Sequence, residues 1–359
     1  MMGMRRKKYL VGSLAPRRIL IVRLGAIGDV VFASTILGPL RRHFPQAHIT
    51  WLVQKGPAAL LAHHPCVDRL LIWPREDWLA LWRAGRWGEL SRVMLAFGKG
   101  LRQEHFDVVL DLQGLLKSGL LAWCAGGKVR IGLGSREGSS LLMHHVFPRM
   151  NPKPSFAGEY QPLLEAMAIA PPGRSTSMML DETEREKAAA RRKQLGITSG
   201  YIALCPFTTR PQKHWPAAHW VSLIQALAAH TSLACLILGG PAEEIQAHDM
   251  AQSHHSCLSL AGKTTLPEAC ALLEAARLVI GVDTGLTHLA ATLGVPTIAL
   301  FGATMPYAHV PGHDRAVVLS KQLACSPCRR HPTCAGAFTC MRELTPEQVL
   351  RVALDLVAT

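Results

Sequence analysis

Apolar residues fall into two kinds of run along this chain. Short continuous runs appear as "RILIVR" and "FDVVLDLQG" in the first half, and as "YIALCPF", "LACLILGG", "ARLVIGVDTG" and "PTIALFG" in the second. Between them stand longer segments whose apolar residues recur three and four apart, such as "VVFASTILGPLRRHF", "PAAHWVSLIQALAAH" and "LPEACALLEAA". Continuous runs predict strands covered on both faces, and therefore parallel; the spaced runs predict helices. Strand and helix alternating twice over predict an α/β fold of two doubly wound domains. Ligands of such sheets bind beyond the carboxyl ends of the strands, so the expected site is a cleft where the two domains face each other.

The join between the halves is marked by prolines and by the turn Pro171-Pro172-Gly173, which puts a linker near residues 170 to 182. The expected division is an N-terminal domain over 1–175, a C-terminal domain over 176–345 and a closing helix over 346–359. No internal repeat or low-complexity tract interrupts this pattern.

Composition narrows the setting. A chain of 359 residues, 49% of them apolar, is too long for one ordinary core and has ample material for two. No run approaches the roughly 18 apolar residues that would cross a bilayer. The basic N-terminus is broken by Pro16, Arg17 and Arg18 where a signal peptide would be apolar, so a cytoplasmic location is expected. There the ten cysteines are reduced thiols, metal ligands or redox groups. Lys and Arg exceed Asp and Glu by 39 − 25 = 14, which points to an anionic partner: nucleic acid, acidic lipid or a phosphorylated substrate.

Four stretches carry chemistry. In "ARLVIGVDTGLTHLAATLGVPTIALFG" a strand ends at Asp283, Thr284-Gly285 turn the chain, and a helix begins with free N–H groups suited to phosphate; an ordinary turn capped by Thr284 reads equally well. In "CPFTTRPQKHWPAAHW", Thr208, Thr209, Arg210 and Lys213 follow a strand and precede a helix led by Pro216. They form either a diphosphate cradle or a solvated basic loop over Trp215 and Trp220. "LILGGPAEE" sets Glu243 and Glu244 beyond a strand, for ribose hydroxyls or for the next helix N-terminus. "VRLGAIGDVV" lacks the G-x-G-x-x-G spacing of a dinucleotide fingerprint, which argues against a dehydrogenase. It leaves Asp29 at the head of a helix, as a cap, a base or both.

Taken in order, "VRLGAIGDVVFASTILGPL", "DLQGLLKSGLLA", "TTRPQKHWPAAHW", "GGPAEE" and "VDTGLTHLAATLGVPTIALFGAT" resemble the ADP-heptose:lipopolysaccharide heptosyltransferases, glycosyltransferase family 9, over roughly residues 17 to 350. The resemblance implies the GT-B fold, with the closing helix "TPEQVLRVALDLVA" crossing back to the N-terminal domain. It implies inverting transfer of L-glycero-D-manno-heptose from ADP-heptose to a lipid A-linked core acceptor. By position, Asp29 matches the general base. Thr208, Thr209 and Lys213 match the diphosphate contacts, with Lys213 doing the work of a metal, so that no cofactor is needed for the chemistry. Thr284, Gly285 and Leu286 match the phosphate-binding turn, Asp283 a donor-sugar contact and Glu243 a ribose contact, with His288 one helical turn on. Asp111, Gln113 and Lys117 fall on the acceptor side. The "TTRPQKHWPAAHW" stretch resembles heptosyltransferase I, whereas "CSPCRRHPTCAGAFTCMRELTPEQV" resembles the tails of heptosyltransferases II and III. The segment "NPKPSFAGEYQPLLEAM" does not show the family's histidine pattern, which keeps open a relative using another nucleotide sugar or acceptor.

Two features lie outside this scheme. Four of the eight tryptophans stand between Trp73 and Trp87, with Arg83 and Arg86 beside them, as in a helix lying at an anionic membrane surface or one packed on its own domain. Cys325, Cys328, Cys334 and Cys340 have the count for a structural zinc site, or are free or disulfide-prone thiols. A nucleic-acid-binding protein would account for the charge but not for hydroxyl-rich loops after strand ends, so no nucleic-acid partner is expected.

Overall fold

The computed structural model describes residues 15–149, 158–170 and 180–358, apart from 306, 311, 312, 322, 329 and 330. The chain divides into two units, the second beginning its continuous run at Leu180. The expected break at 175/176 and most of the expected linker fall on 171–179, outside the described residues.

The first unit holds strands β1 (Arg18–Val22), β2 (His48–Gln54), β3 (Arg69–Trp73), β4 (Val108–Asp111), β5 (Val129–Leu133) and β6 (His145–Phe147), in the sheet order β3-β2-β1-β4-β5-β6. The second holds β7 (Tyr201–Cys205), β8 (Ala234–Ile237), β9 (Cys257–Ser259), β10 (Leu278–Val282), β11 (Thr297–Phe301) and β12 (Ala316–Ser320), in the order β12-β11-β10-β7-β8-β9. Every pairing is parallel. Read in chain order the two sheets have one topology. In each, the first and fourth strands lie side by side at the centre, where the winding reverses. The central strands are buried along almost their whole length and the edge strands are not, which is why the former read as uninterrupted apolar runs.

The helices follow the periodic segments with local differences. "VVFASTILGPLRRHF" is two helices, Ile27–Ser34 and Leu37–His43. Pro39 has no N–H to continue the first helix and its ring would meet the carbonyl four residues back, so it lies in the first turn of a new one. The closing helix Pro346–Ala358 groups with the second unit. Val349 and Ala353 sink completely into the core formed with Trp220, Leu223 and Ile298. Trp215 Nε1 donates to the Leu344 carbonyl at 2.7 Å, fixing the entry to that helix. The apolar stripe of the helix thereby finds a complementary face within its own unit.

Candidate active site

In the second unit the loops after β7 and β10 meet at the switch point. Asp283, the residue after β10, is 8% exposed. One of its carboxylate oxygens lies 2.9 Å from His288 Nε2. The other lies 2.8 Å from Lys213 Nζ and accepts the Thr304 hydroxyl. Burial by itself would push this carboxyl up. The hydrogen bond and charge of His288 and the Lys213 ammonium outweigh it and hold the group below the usual carboxylate range. The Thr208 hydroxyl donates to the Asp283 carbonyl at 3.3 Å, and the Thr208 carbonyl accepts from His214 Nε2 at 2.8 Å, so the two loops are stitched together.

The structure thus brings Thr208, Lys213, Asp283 and His288 together. Its arrangement of His288 differs from a residue aimed at a ligand. At 3% exposure it stands behind Asp283, with Nδ1 3.2 Å from the Tyr307 hydroxyl, and it orients the carboxylate. Thr209 is exposed on the same loop. Thr284 precedes helix Gly285–Thr292 in extended conformation and makes no side-chain cap, so the reading of Thr284 as an ordinary cap is not what the structure adopts. Thr284, Gly285 and Leu286 are partly exposed there, where the first N–H groups of the helix have no intrahelical acceptor. The close fit behind this turn depends on Gly281, where a Cβ would stand 2.1 Å from Thr287 Oγ1 and 2.8 Å from Cys205 Cβ. Glu243 ends a short turn, Pro241–Glu243, beyond β8, the strand beside β7, and is partly exposed. A cation, hydroxyls and free N–H groups around one strand end suit the oxygens of a diphosphate.

The first unit presents another arrangement at its own switch point. Asp29 lies in the first turn of helix Ile27–Ser34, where Oδ2 accepts from the Ala26 N–H at 3.3 Å, half of a capping box. The same oxygen is 2.7 Å from Nη2 of Arg23, whose side chain is almost wholly buried while that of Asp29 is 47% exposed. Asp111 is fully buried. One oxygen accepts the Gln113 and Gly114 N–H groups at 3.0 Å each, and the other accepts the Ser118 hydroxyl at 3.1 Å. It therefore builds the turn from β4 into helix Leu116–Ala125 and presents no free oxygen. Gly114 is required in that turn, at φ +67° with the Leu133 carbonyl 2.5 Å from where a Cβ would be. Gln113 Oε1 accepts the Leu24 N–H at 3.0 Å and so ties this turn to the loop leading to Asp29. Lys117 is exposed and stands over the Trp73 ring, 5.9 Å from its centre.

The tryptophans separate by role. In helix Arg75–Arg83, Trp78 packs edge-on against Trp73 and Phe97 over the first core. Trp82 (53% exposed) stacks edge-to-face with Trp87 (54%), which begins helix Trp87–Gln103. That helix also exposes Met94 and Leu95, and the neighbouring helix Leu116–Ala125 exposes Leu116, Leu120 and Trp123 at i, i+4 and i+7. Among residues 83–103, Arg83, Arg86, Arg92, Lys99 and Arg102 face a single acid, Glu89, which Arg86 engages at 2.8 Å.

Among the described residues no group of three or more His, Cys, Asp or Glu is arranged to hold a metal, and all ten cysteines are free. Cys325 is exposed whereas Cys340 is buried, its Sγ 2.8 Å from where a Gly302 Cβ would be, so helix Thr339–Arg342 draws it into the core.

Arg23, His214, Thr304 and Tyr307 carry parts of these sites although no strand-end motif singles them out. Thr304 had a legible signal, since "ALFGAT" follows the end of β11, beside β10. Arg23 reads as a charge that ends a strand. Only its burial reveals it.

Two sheets of this topology in tandem, each with polar groups gathered at its switch point, are the architecture of the GT-B glycosyltransferases. Residues 94–338 match the model of Glycosyltransferase family 9 (heptosyltransferase). Lipopolysaccharide heptosyltransferase 1 of Pseudomonas aeruginosa is 31% identical, over 87% of this chain and 86% of that protein. The Escherichia coli K12 protein of the same name is 28% identical, over 80% of this chain and 89% of its own length. The structure of E. coli heptosyltransferase WaaC with ADP-2-deoxy-2-fluoro heptose superposes with a TM-score of 0.71 at 25% identity, covering 94% of this chain and 99% of that one. The chain belongs to glycosyltransferase family 9.

Proposed function

We propose that this glycosyltransferase moves L-glycero-D-manno-heptose from ADP-heptose to the lipid A-linked inner core of lipopolysaccharide, with inversion at the anomeric carbon. The observation that carries the reading is the strand-end cluster of the second unit in a chain of this family. Lys213, Thr208 and the start of helix Gly285–Thr292 offer a cation, a hydroxyl and N–H groups where a diphosphate would gain charge on leaving. Thr209 joins Thr208 and Lys213 at the diphosphate, Thr284, Gly285 and Leu286 form the phosphate-binding turn, Asp283 faces the donor sugar, and Glu243 accepts from ribose. In this reading Lys213 carries the part a divalent ion plays in other transferases.

Asp29 is the general base. Its carboxylate accepts the proton late, when bond formation has made the attacking hydroxyl acidic. Asp111, Gln113 and Lys117 shape the acceptor side, the first two by holding the loop that carries Asp29. The acceptor is a lipid, and we place the protein at the cytoplasmic face of the inner membrane. The exposed Trp82, Trp87 and Leu95 beside an excess of Arg and Lys support this, and no helix among the described residues is long and apolar enough to cross a membrane.

The test is ADP release from ADP-heptose with Kdo-lipid A, with the same acceptor bearing one heptose, and without acceptor. Release requires one of the two acceptors, and the one used names the subgroup. Asp29→Asn lowers kcat by about 10²–10⁴-fold while donor binding persists. Binding of ADP-heptose with no release on either acceptor sinks the acceptor assignment; failure to bind it sinks the donor.

A further inference from the structure

Arg23 is a buried charge paired directly with Asp29. It follows β1 directly, is 4% exposed, and stands in the chain between Val22 and Leu24, both members of the first core. Burying a guanidinium costs several kcal/mol unless its partners repay it, and an apolar residue of that size would fill the space more cheaply. Its partners explain the choice. Nη1 donates to the Leu112 carbonyl at 2.9 Å, just beyond β4, and Nη2 stands 2.7 Å from Asp29 Oδ2. A second arginine braces the first. Arg149 donates through Nη2 to the same Leu112 carbonyl and to that of Gln113, and its Nη1 pairs with buried Glu159 at 2.8 Å.

Both contacts to Asp29 fall on one oxygen: Arg23 and the Ala26 N–H take Oδ2, while Oδ1 has no partner among the described residues. We propose that Arg23 is the positioning residue of the base, clamping Asp29 Oδ2 from inside the sheet so that Oδ1 is held toward the acceptor hydroxyl. The inference rests on Asp29 being the base. Arg23 touches neither substrate nor the reacting atoms. Its bidentate grip on a main-chain carbonyl and a carboxylate is one that a lysine ammonium cannot reproduce in full.

The experiment is a cycle of Arg23→Met, Asp29→Asn and the double variant, with Arg23→Lys beside them, measured as kcat and as KM for ADP-heptose. Arg23→Met lowers kcat by about 10²-fold, the loss expected of a reacting group displaced by about 1 Å, and leaves the KM of the donor unchanged. Arg23→Lys restores part of that loss. The double variant is no slower than Asp29→Asn alone, because Arg23 acts only through the carboxylate. If the two losses multiply, or if Arg23→Met raises the donor KM with kcat intact, Arg23 has a general structural role and the proposal is overturned. Should Arg23→Met not fold, the same cycle run with Arg23→Lys keeps the internal charge and reads the same coupling. An Asp29→Asn protein with full activity would instead remove the base assignment itself, whatever Arg23 does.

Discussion

Replacing Asp283 by Asn strikes the centre of the C-terminal cluster while preserving shape. The carboxylate receives Lys213 Nζ at 2.8 Å and His288 Nε2 at 2.9 Å on different oxygens. Asn turns one of those acceptors into an NH₂ donor: toward Lys213 it meets another donor, toward His288 it requires the ring to change tautomer and donate Nδ1–H to the Tyr307 hydroxyl, and in either case Lys213 loses its anionic partner. Removing one member of a buried ion pair costs about 3–5 kcal/mol. Lys213 keeps some access to water, its side chain 18% exposed, which favours the lower end. A loss of about 3 kcal/mol in a unit of this size lowers Tm by about 6–12 °C. The pH dependence has a definite sign. The folded-state carboxyl is held below its ordinary range, so its contribution is complete above the unfolded value of about 3.9 and is lost as pH falls through the folded one. The gap between wild type and variant therefore stays constant from neutral pH to about pH 5 and closes below about pH 4. Urea unfolding at several pH values measures the gap, and hydrogen exchange of the β7 and β10 amides assigns it to the second unit. A variant as stable as wild type at neutral pH, or a gap that persists undiminished in acid, would refute the argument.

Gly281→Ala drives a methyl group into Thr287 Oγ1 and Cys205 Cβ. We expect a destabilisation of about 1–3 kcal/mol and weaker ADP binding by calorimetry, since the start of helix Gly285–Thr292 must move; unchanged affinity would show that the turn does not contact the phosphates. Changing Trp82, Trp87 and Leu95 together to Ser should reduce co-sedimentation with phosphatidylglycerol vesicles by about tenfold or more, because interfacial binding scales with buried apolar area. Turnover on a short soluble acceptor analogue should be retained. Equal sedimentation of the two proteins would leave the exposed surface without a lipid role.

Much of the strand-end cluster of the second unit was legible along the chain. "YIALC" and "ARLVIGV" are continuous apolar runs because β7 and β10 are covered on both faces. The residues that follow such runs must lie at the sheet's carboxyl edge, so Thr208, Lys213 and Asp283 declared their place by order alone. The "LG" after Leu289 and Ala290 marked the helix end as well, with Gly294 at φ +76°. Asp29 was recognisable as a helix-head acid, a local property, and the structure adds to it an ion pair with a residue already inside the sheet.

What no local pattern carried was depth and pairing. His288 and Asp111 have the spacing of site residues, but their burial makes them supports: one holds Asp283 and the other builds a turn. Trp78 and Trp82 share a helix face, yet one packs against Trp73 and Phe97 at the first core while the other, against Trp87, stays more than half exposed. The closing helix carried an apolar stripe, and only the fold shows Val349 and Ala353 buried in one core with Trp220. The four C-terminal cysteines had a metal site's count without its geometry. Periodicity and strand-end position are encoded within a few neighbouring residues and survive in the sequence alone. Which charge is buried, and against what, depends on residues distant along the chain, such as Arg23 with Leu112 and Lys213 with Asp283, that only the folded sheets bring together.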